Sequence, residues 1–384
     1  MIVNYQDFQK SDAALKAVRG AYLVADLGNG GQERQLFNLV SHIAENNKVL
    51  IVPWDFNSED RYVNLLENAP NILVLDLQEK GFRNRLTRIR HVLKATEASY
   101  FHSYSYHLNF VAWCACLGLG KRAIGGVRNR LVLNRKLNGK VRFYLSLLFP
   151  YFRISNNYYC FHDLGWPTRF LSRTFSNTTF VHNGVDTNRF RSSNDRQALY
   201  SNLNPLKTIS VGRLFPVKQV DQIIDWVFEM KNRGFHVQHQ HAGQGPEQEK
   251  LLQRVKQLQL ENEFHFVGNV NDIPSFMSSA HFLVHAAKFE GCPNVIMEAM
   301  ACGLPILSSD AGDTAIIVDQ GENGFVYPID DHKLRLEFGL QLAKDSGLLS
   351  QCSIRAAKKA QSEFGVSEYV SSIQKTYEQM GITT

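Results

Sequence analysis

Residues 208–243 read TISVGRLFPVKQVDQIIDWVFEMKNRGFHVQHQHAG, and the order of residue types in this stretch decides the fold. Thr208 to Val211 is a short strand-forming run that stops at Gly212, Val220 to Lys231 follows as a helix, and Phe235 to His241 is a second strand stopping at Gly243. Strand, glycine turn, helix, strand is the repeat of an α/β unit with parallel strands. Downstream the repeat continues with a helix over Pro246 to Leu258 and strands at Phe264 to Val267, Phe282 to His285, Pro305 to Ser308 and Gly324 to Tyr327. Upstream the same pattern is already present. Ala21 to Ala25 reads as a strand, Gly28 to Gly31 as a glycine turn, and Gln35 to Glu45 as a helix with Leu36, Leu39, Val40 and Ile43 at helical spacing. Further strands are expected at Val49 to Pro53, Asn71 to Leu75, Tyr100 to Ser103 and Arg122 to Gly126, with helices over Arg83 to Lys94 and Leu108 to Leu117.

Between the two repeats, the polar stretch Ser192 to Asp195 and Ser201 to Pro205 suits a hinge. The expectation is therefore two Rossmann-like domains, residues 1–188 and 189–365. A terminal helix from 366, with Tyr369, Val370, Ile373 and Tyr377 on one face, is expected to pack back on the first. A length of 384 residues suits two domains. The 25 Phe, 14 Tyr and 4 Trp exclude a disordered chain. The most apolar run, Phe143 to Phe152, is about half the roughly 20 residues of a membrane-spanning helix. With no basic region followed by an apolar stretch at Met1 to Asp7, the expected location is cytoplasmic. Six scattered cysteines read as reduced thiols rather than a metal site.

Charge divides along the chain. Residues 1–190 hold 24 Lys and Arg against 14 Asp and Glu, whereas the remainder holds 18 against 22. Residues 101–150 contain no acidic side chain, and Lys121, Arg122, Arg128, Arg130, Arg135, Lys136, Lys140 and Arg142 precede the aromatic run. Such a stretch suits either nucleic acid or an anionic membrane surface, or simply a helix with solvated charges.

The densest polar cluster runs from Lys288 to Pro305. Pro293 suits a first helical position and Gly303 a stop, which leaves backbone N–H groups at Gly291, Cys292, Asn294 and Val295 at a helix N-terminus, a ready anion site. Glu290 lies just before that helix and Glu298 one turn inside it, both able to accept hydrogen bonds from sugar or ribose hydroxyls. Arg213 and Lys218 follow the strand end at Gly212, where ligands of open parallel sheets bind, and together suit a diphosphate. Gly243 to Pro246 carries only part of a dinucleotide fingerprint. In the first half, Gly30 and Gly31 allow close backbone approach of a ligand, and His102, Tyr104, Tyr106, His107 and Arg128 follow strand ends where an acceptor hydroxyl could be bound.

These residues together resemble the retaining family 4 glycosyltransferases of GT-B fold, two Rossmann-like domains with a deep cleft between them. The resemblance is carried by Glu290 and Glu298 in a Glu-x7-Glu motif followed by Ala299, Met300, Ala301 and Gly303, by Gly212, Arg213 and Lys218, by Gly243 to Pro246, by Asn183 to Asp186 with Phe190, and by Gly30, Gly31 and Glu33. The run from His102 to Asn109 resembles members that build O-antigen, capsule and exopolysaccharide. The resemblance implies sugar transfer from a UDP- or GDP-sugar, with no metal or other cofactor and no nucleic-acid partner. The acceptor would be lipid-linked or another surface glycan, met at the inner face of the cell membrane by a peripheral N-terminal domain.

Carried over residue by residue, the resemblance implies that Arg213 and Lys218 hold the donor diphosphate, Glu290 contacts the transferred sugar, and Glu298 binds the ribose. Gly212, Gly243 and the backbone from Gly291 to Val295 would border the donor. His107 would serve catalysis from the acceptor side, where Gly30, Gly31, His102, Tyr104, Tyr106 and Arg128 also stand. Two positions depart from the family pattern. Tyr104 stands where relatives often carry His, which leaves that polar role to His107 or His102, or absent; Gly312, Asp313 and Ile316 replace a Gly-Gly pair with a Glu three residues on. A sugar-nucleotide epimerase of the same fold and a non-catalytic two-lobed sugar-binding protein are the alternatives.

Overall fold

The computed structural model describes residues 1–7, 12–28, 30–67, 69–127, 152–155, 178–193 and 196–382. Two compact units are formed, Met1–Gly184 with Val366–Thr384, and Val185–Gly365. The division thus falls ahead of the expected 188/189 boundary. The reason is a backbone pairing inside the second unit. The Val185 amide donates to Phe364 O at 2.7 Å, Val185 bridges Gly365 in parallel, and Val185 and Phe190 are buried in that unit's core.

The first unit is built on a parallel sheet of strands β1 (Ile2–Asn4), β2 (Val18–Val24), β3 (Lys48–Pro53), β4 (Ile72–Asp76), β5 (Tyr100–Ser103), β6 (Arg122–Val127), β7 (Phe152–Ser155) and β8 (Thr178–Phe180). Their order is β1-β4-β3-β2-β5-β6-β7-β8. Central strands read as nearly continuous apolar runs because helices cover both faces; all but one of the residues of β2 are buried. Helices α1 (Gly31–Ile43), α2 (Phe82–Ala95) and α3 (Asn109–Cys116) follow β2, β4 and β5. Alternate residues of β2 feed two separate cores, Tyr22 and Val24 on the α1 side, Ala21 and Leu23 on the side of α2 and α3.

The second unit carries strands β9 (Leu206–Val211), β10 (Val237–Ala242), β11 (Phe264–Gly268), β12 (Phe282–His285), β13 (Ile306–Ser309) and β14 (Gly324–Tyr327), in the order β11-β10-β9-β12-β13-β14, all parallel. Chain order reverses between β9 and β12, the switch point where such sheets bind ligands. The longer helices of the unit are α4 (Val220–Asn232), α5 (Gln248–Gln257), α6 (Asn294–Ala301), α7 (His332–Lys344) and α8 (Ser346–Glu363). Next to the polar residues expected to serve as a hinge, Arg196 is fixed within the second unit. Arg196 is buried to 2% exposure, its Nε donating to Gly303 O at 2.6 Å and its NH2 to Ala280 O at 2.9 Å, so the polar stretch is tied to the end of α6.

The final helix, α9 (Val366–Gln379), packs in the first unit, with Tyr369, Val370, Ile373 and Tyr377 in the same core as Tyr22, Leu36 and Leu39. Gly184 is required there, since a Cβ would lie 2.9 Å from that of Tyr369. The buried Gln35 side chain grips the same glycine, accepting from its amide at 2.7 Å and donating to its carbonyl at 2.9 Å. Among the described residues no helix is long and apolar enough to cross a membrane, and the five described cysteines form no disulfide.

Candidate active site

In the second unit the loops after β9 and β12 meet. Lys288 donates its amide to Val217 O at 2.8 Å, which fastens one loop to the other. A short turn of 3-10 helix, Pro216–Lys218, places the Lys218 ammonium on the Glu290 carboxylate. His285, the last residue of β12, brings Nε2 to 3.3 Å from the same Glu290 oxygen. Burial by itself would raise the Glu290 pKa; the neighbouring His285 and the Lys218 charge outweigh it and hold the carboxyl down at about 2. Glu290 is therefore an ionised acceptor across the physiological range. Arg213, one residue past Gly212, is exposed, with its guanidinium 5.2 Å from the centroid of the Phe215 ring.

Glycines let these backbones approach. A Cβ on Gly243 would overlap Gly212 O, one on Gly245 would overlap Leu214 O, and one on Gly312 would overlap Gly291 O; Gly243 and Gly312 also have φ of +139° and +63°. At this point the Asp313 amide donates to Gly291 O at 2.9 Å and shapes the turn ahead of α6; nothing in the structure explains Asp313 and Ile316 in place of the family residues. Pro293 is the residue capping α6 rather than its first helical residue, and the helix begins at Asn294. Gly291, Asn294 and Val295 are partly exposed at this N-terminus, whereas Cys292 and Pro293 are buried. Glu298, one turn inside α6, is 7% exposed.

The first unit gathers its candidates differently. Gly30 and Gly31 are exposed at the start of α1, and the Glu33 side chain folds back over Gly30. The Glu33 carboxyl is pushed up by burial, with Asp26 and Asp60 adding to the rise. His107 is exposed on a turn of 3-10 helix, Tyr106–Leu108. His102 and Tyr104 are not exposed at all. His102 Nδ1 is 2.7 Å from Tyr377 Oη and Tyr104 Oη is 2.9 Å from Tyr369 Oη, so both reach α9 inside the core. The acceptor role expected of them is corrected: β5 alternates its side chains, and these two point to the α9 side. Asn109 is likewise structural, accepting from Gly126 N and donating to Gly126 O, both at 3.1 Å. Arg128 and the Tyr106 side chain lie outside the described residues, as does the basic and aromatic stretch from Arg128 to Tyr151.

Sequence reasoning passed over His285, which the strand-end rule that selected Arg213 would also have found. It passed over His239 and His241 too, where alternation with the exposed Gln238 and Gln240 along β10 was the available signal.

Residues 192–359 match the family model described as glycosyl transferases group 1. Among curated relatives, the chain is 27% identical over 136 residues to N-acetyl-alpha-D-glucosaminyl L-malate synthase of Bacillus anthracis, covering 35% of this chain and 36% of that protein. It is 26% identical over 219 residues to the lipopolysaccharide core biosynthesis mannosyltransferase LpsB of Rhizobium meliloti, covering 53% of this chain and 61% of that protein. The chain thus spans less than two thirds of the length of either relative. Among solved structures, Anabaena Alr3699/HepE in complex with UDP superposes with a TM-score of 0.80 at 20% identity, over 94% of this chain and 100% of that one. Sucrose-phosphate synthase from Thermosynechococcus elongatus gives 0.79 at 16% identity, over 94% and 99%. The fold is the GT-B fold of these proteins.

Proposed function

We propose that this chain is a retaining glycosyltransferase that moves a sugar from a UDP- or GDP-sugar to a lipid-linked or other surface-glycan acceptor, in polysaccharide or lipopolysaccharide assembly. The observation that carries the reading is the Lys218–Glu290–His285 cluster beside Arg213 at the switch point of the second sheet, inside the segment that matches the glycosyltransferase model. The solved relative that holds UDP supports a nucleotide donor.

Transfer leaves negative charge on the departing diphosphate. Arg213, Lys218 and the amide groups at the start of α6 meet it, with no metal ion required. Ionised Glu290 accepts a hydrogen bond from a hydroxyl of the transferred sugar and orients it, and Glu298 takes the ribose. His107 and the exposed Gly30–Gly31 backbone serve the acceptor. The basic excess of the first half suits an anionic or membrane-bound acceptor at the cytoplasmic face.

The test is incubation of labelled UDP- and GDP-sugars with and without a glycolipid extract. Nucleoside diphosphate release that depends on the extract supports transfer; free sugar released equally without it identifies an epimerase or hydrolase instead. Unchanged binding to anionic vesicles after neutralising Arg130, Arg135, Lys136 and Lys140 would remove the membrane part of the reading.

A further inference from the structure

Beneath the Gly212 turn, four polar side chains are buried in the second sheet at 2% exposure or less: Thr208 and Ser210 on β9, His239 and His241 on β10. They are linked end to end. Thr208 Oγ1 is 2.9 Å from His239 Nδ1, His239 Nε2 is 2.8 Å from Ser210 Oγ, Ser210 Oγ is 2.7 Å from His241 Nδ1, and His241 Nε2 is 3.0 Å from Gly212 O. A carbonyl can only accept, so the last link requires a proton on His241 Nε2. With both rings neutral, every other role then follows. His241 Nδ1 accepts from the Ser210 hydroxyl, Ser210 oxygen accepts from His239 Nε2–H, and His239 Nδ1 accepts from the Thr208 hydroxyl. All four donors point the same way, toward Gly212. Burial keeps both imidazoles uncharged, His239 with its pKa well below the usual value and His241 down at about 4.

The end of the relay sets the direction of one peptide. Gly212 donates its amide to Ala242 O at 2.9 Å and Leu214 donates to Gln244 O at 3.0 Å, so residues 212 and 214 face β10. In a trans peptide the carbonyl and the following amide point in opposite directions. With Gly212 O fixed toward β10 by His241, the Arg213 N–H faces the other side, the β9–β12 crevice that holds Lys218 and Glu290.

We propose that Thr208, His239, Ser210 and His241 form a one-way hydrogen-bond relay that locks the Gly212–Arg213 peptide, with His241 as the positioning residue that aims the Arg213 backbone amide at the donor diphosphate. The inference rests on the nucleotide-sugar reading and adds to it a backbone ligand and the buried device that orients it. A peptide fixed before the ligand arrives does not reorganise on binding, which is the condition under which one amide contributes strongly to an anion site.

The experiment measures calorimetric affinity for UDP and GDP, and for uridine and guanosine, in the wild type, His241→Phe, His241→Gln and Ser210→Ala. Phe keeps a ring but has no donor, whereas the Gln amide nitrogen reaches the place of Nε2. Expected is a loss of about tenfold in diphosphate affinity for His241→Phe, no change for the matching nucleoside, recovery to within about threefold for His241→Gln, and an intermediate loss for Ser210→Ala. Equal diphosphate affinity in wild type and His241→Phe overturns the relay. So does parallel loss of nucleoside and diphosphate without recovery in His241→Gln, which marks a purely structural role. A wild type that binds neither diphosphate overturns the nucleotide-sugar reading itself.

Discussion

His285 Nε2 lies 3.3 Å from Glu290 Oε1, and the Lys218 ammonium closes on the same oxygen from the loop after β9. A carboxylate largely shielded from water thus sits between the end of β12 and a lysine of the loop after β9. Glu290→Gln preserves shape and removes the charge, so sugar transfer is expected to fall by about a hundredfold or more, by analogy with the loss of one preorganised polar group, together with a lower melting temperature because the Lys218 pairing is lost. The readout is kcat for nucleoside diphosphate release beside a melting curve.

Acid should weaken the second unit in two stages. His241 and His281 are held down at about 4 by burial, against an unfolded value of 6.5. Between those values the unfolded chain takes up protons that the folded one refuses, so stability falls as pH drops from 6.5 to 4, by about 3 kcal/mol at full extent for each such group. Glu290 then adds a second loss, as pH falls from 4.5 towards 2 and its folded-state pairing is neutralised. Urea unfolding at pH 7, 5.5, 4 and about 2.5 checks both stages, and His241→Phe should flatten the upper one.

Gly243→Ala puts a methyl group into Gly212 O at a φ of +139°. Neither backbone can yield without moving the turn that bears Arg213. A destabilisation of about 2 kcal/mol or more is expected, with loss of UDP or GDP affinity; unchanged affinity by calorimetry would show that the turn tolerates displacement.

In the first unit, His102 and His107 should separate. Tyr377→Phe removes the hydroxyl that meets His102 inside the core and is expected to lower stability by about 1 kcal/mol. His107→Ala, at an exposed position, is expected to leave stability within about 0.5 kcal/mol while reducing transfer to acceptor more than donor hydrolysis. Urea midpoints and the two rates distinguish the cases.

The alternation of strand, glycine and helix was legible along most of the chain, because buried parallel strands are apolar on both faces and punctuated by glycine. Phe282–His285 and Gly324–Tyr327 have the bounds that their residues suggest. Ile2–Asn4 and the paired helices α7 and α8 gave weaker signals: one is only three residues long, and α7 and α8 keep much of their surface in water.

Among the functional candidates, Arg213, Lys218 and Glu290 could be selected from sequence because charged groups at the ends of apolar strands are conspicuous whichever way they point. Sequence by itself determined the α/β class, the two-unit plan and the charged groups at the strand ends of the second unit. Only the tertiary structure decided which polar groups stay outside. His102 and Tyr104 look like ligands in the chain and are core residues in the fold, because β5 turns them onto α9, some 265 residues further on for the Tyr104–Tyr369 pair. His239 and His241 look like ordinary strand residues and end beneath Gly212, because β9 and β10 align Ser210 with His241. Side-chain direction in a strand is fixed by register with its neighbours, and that register is a property of the assembled sheet.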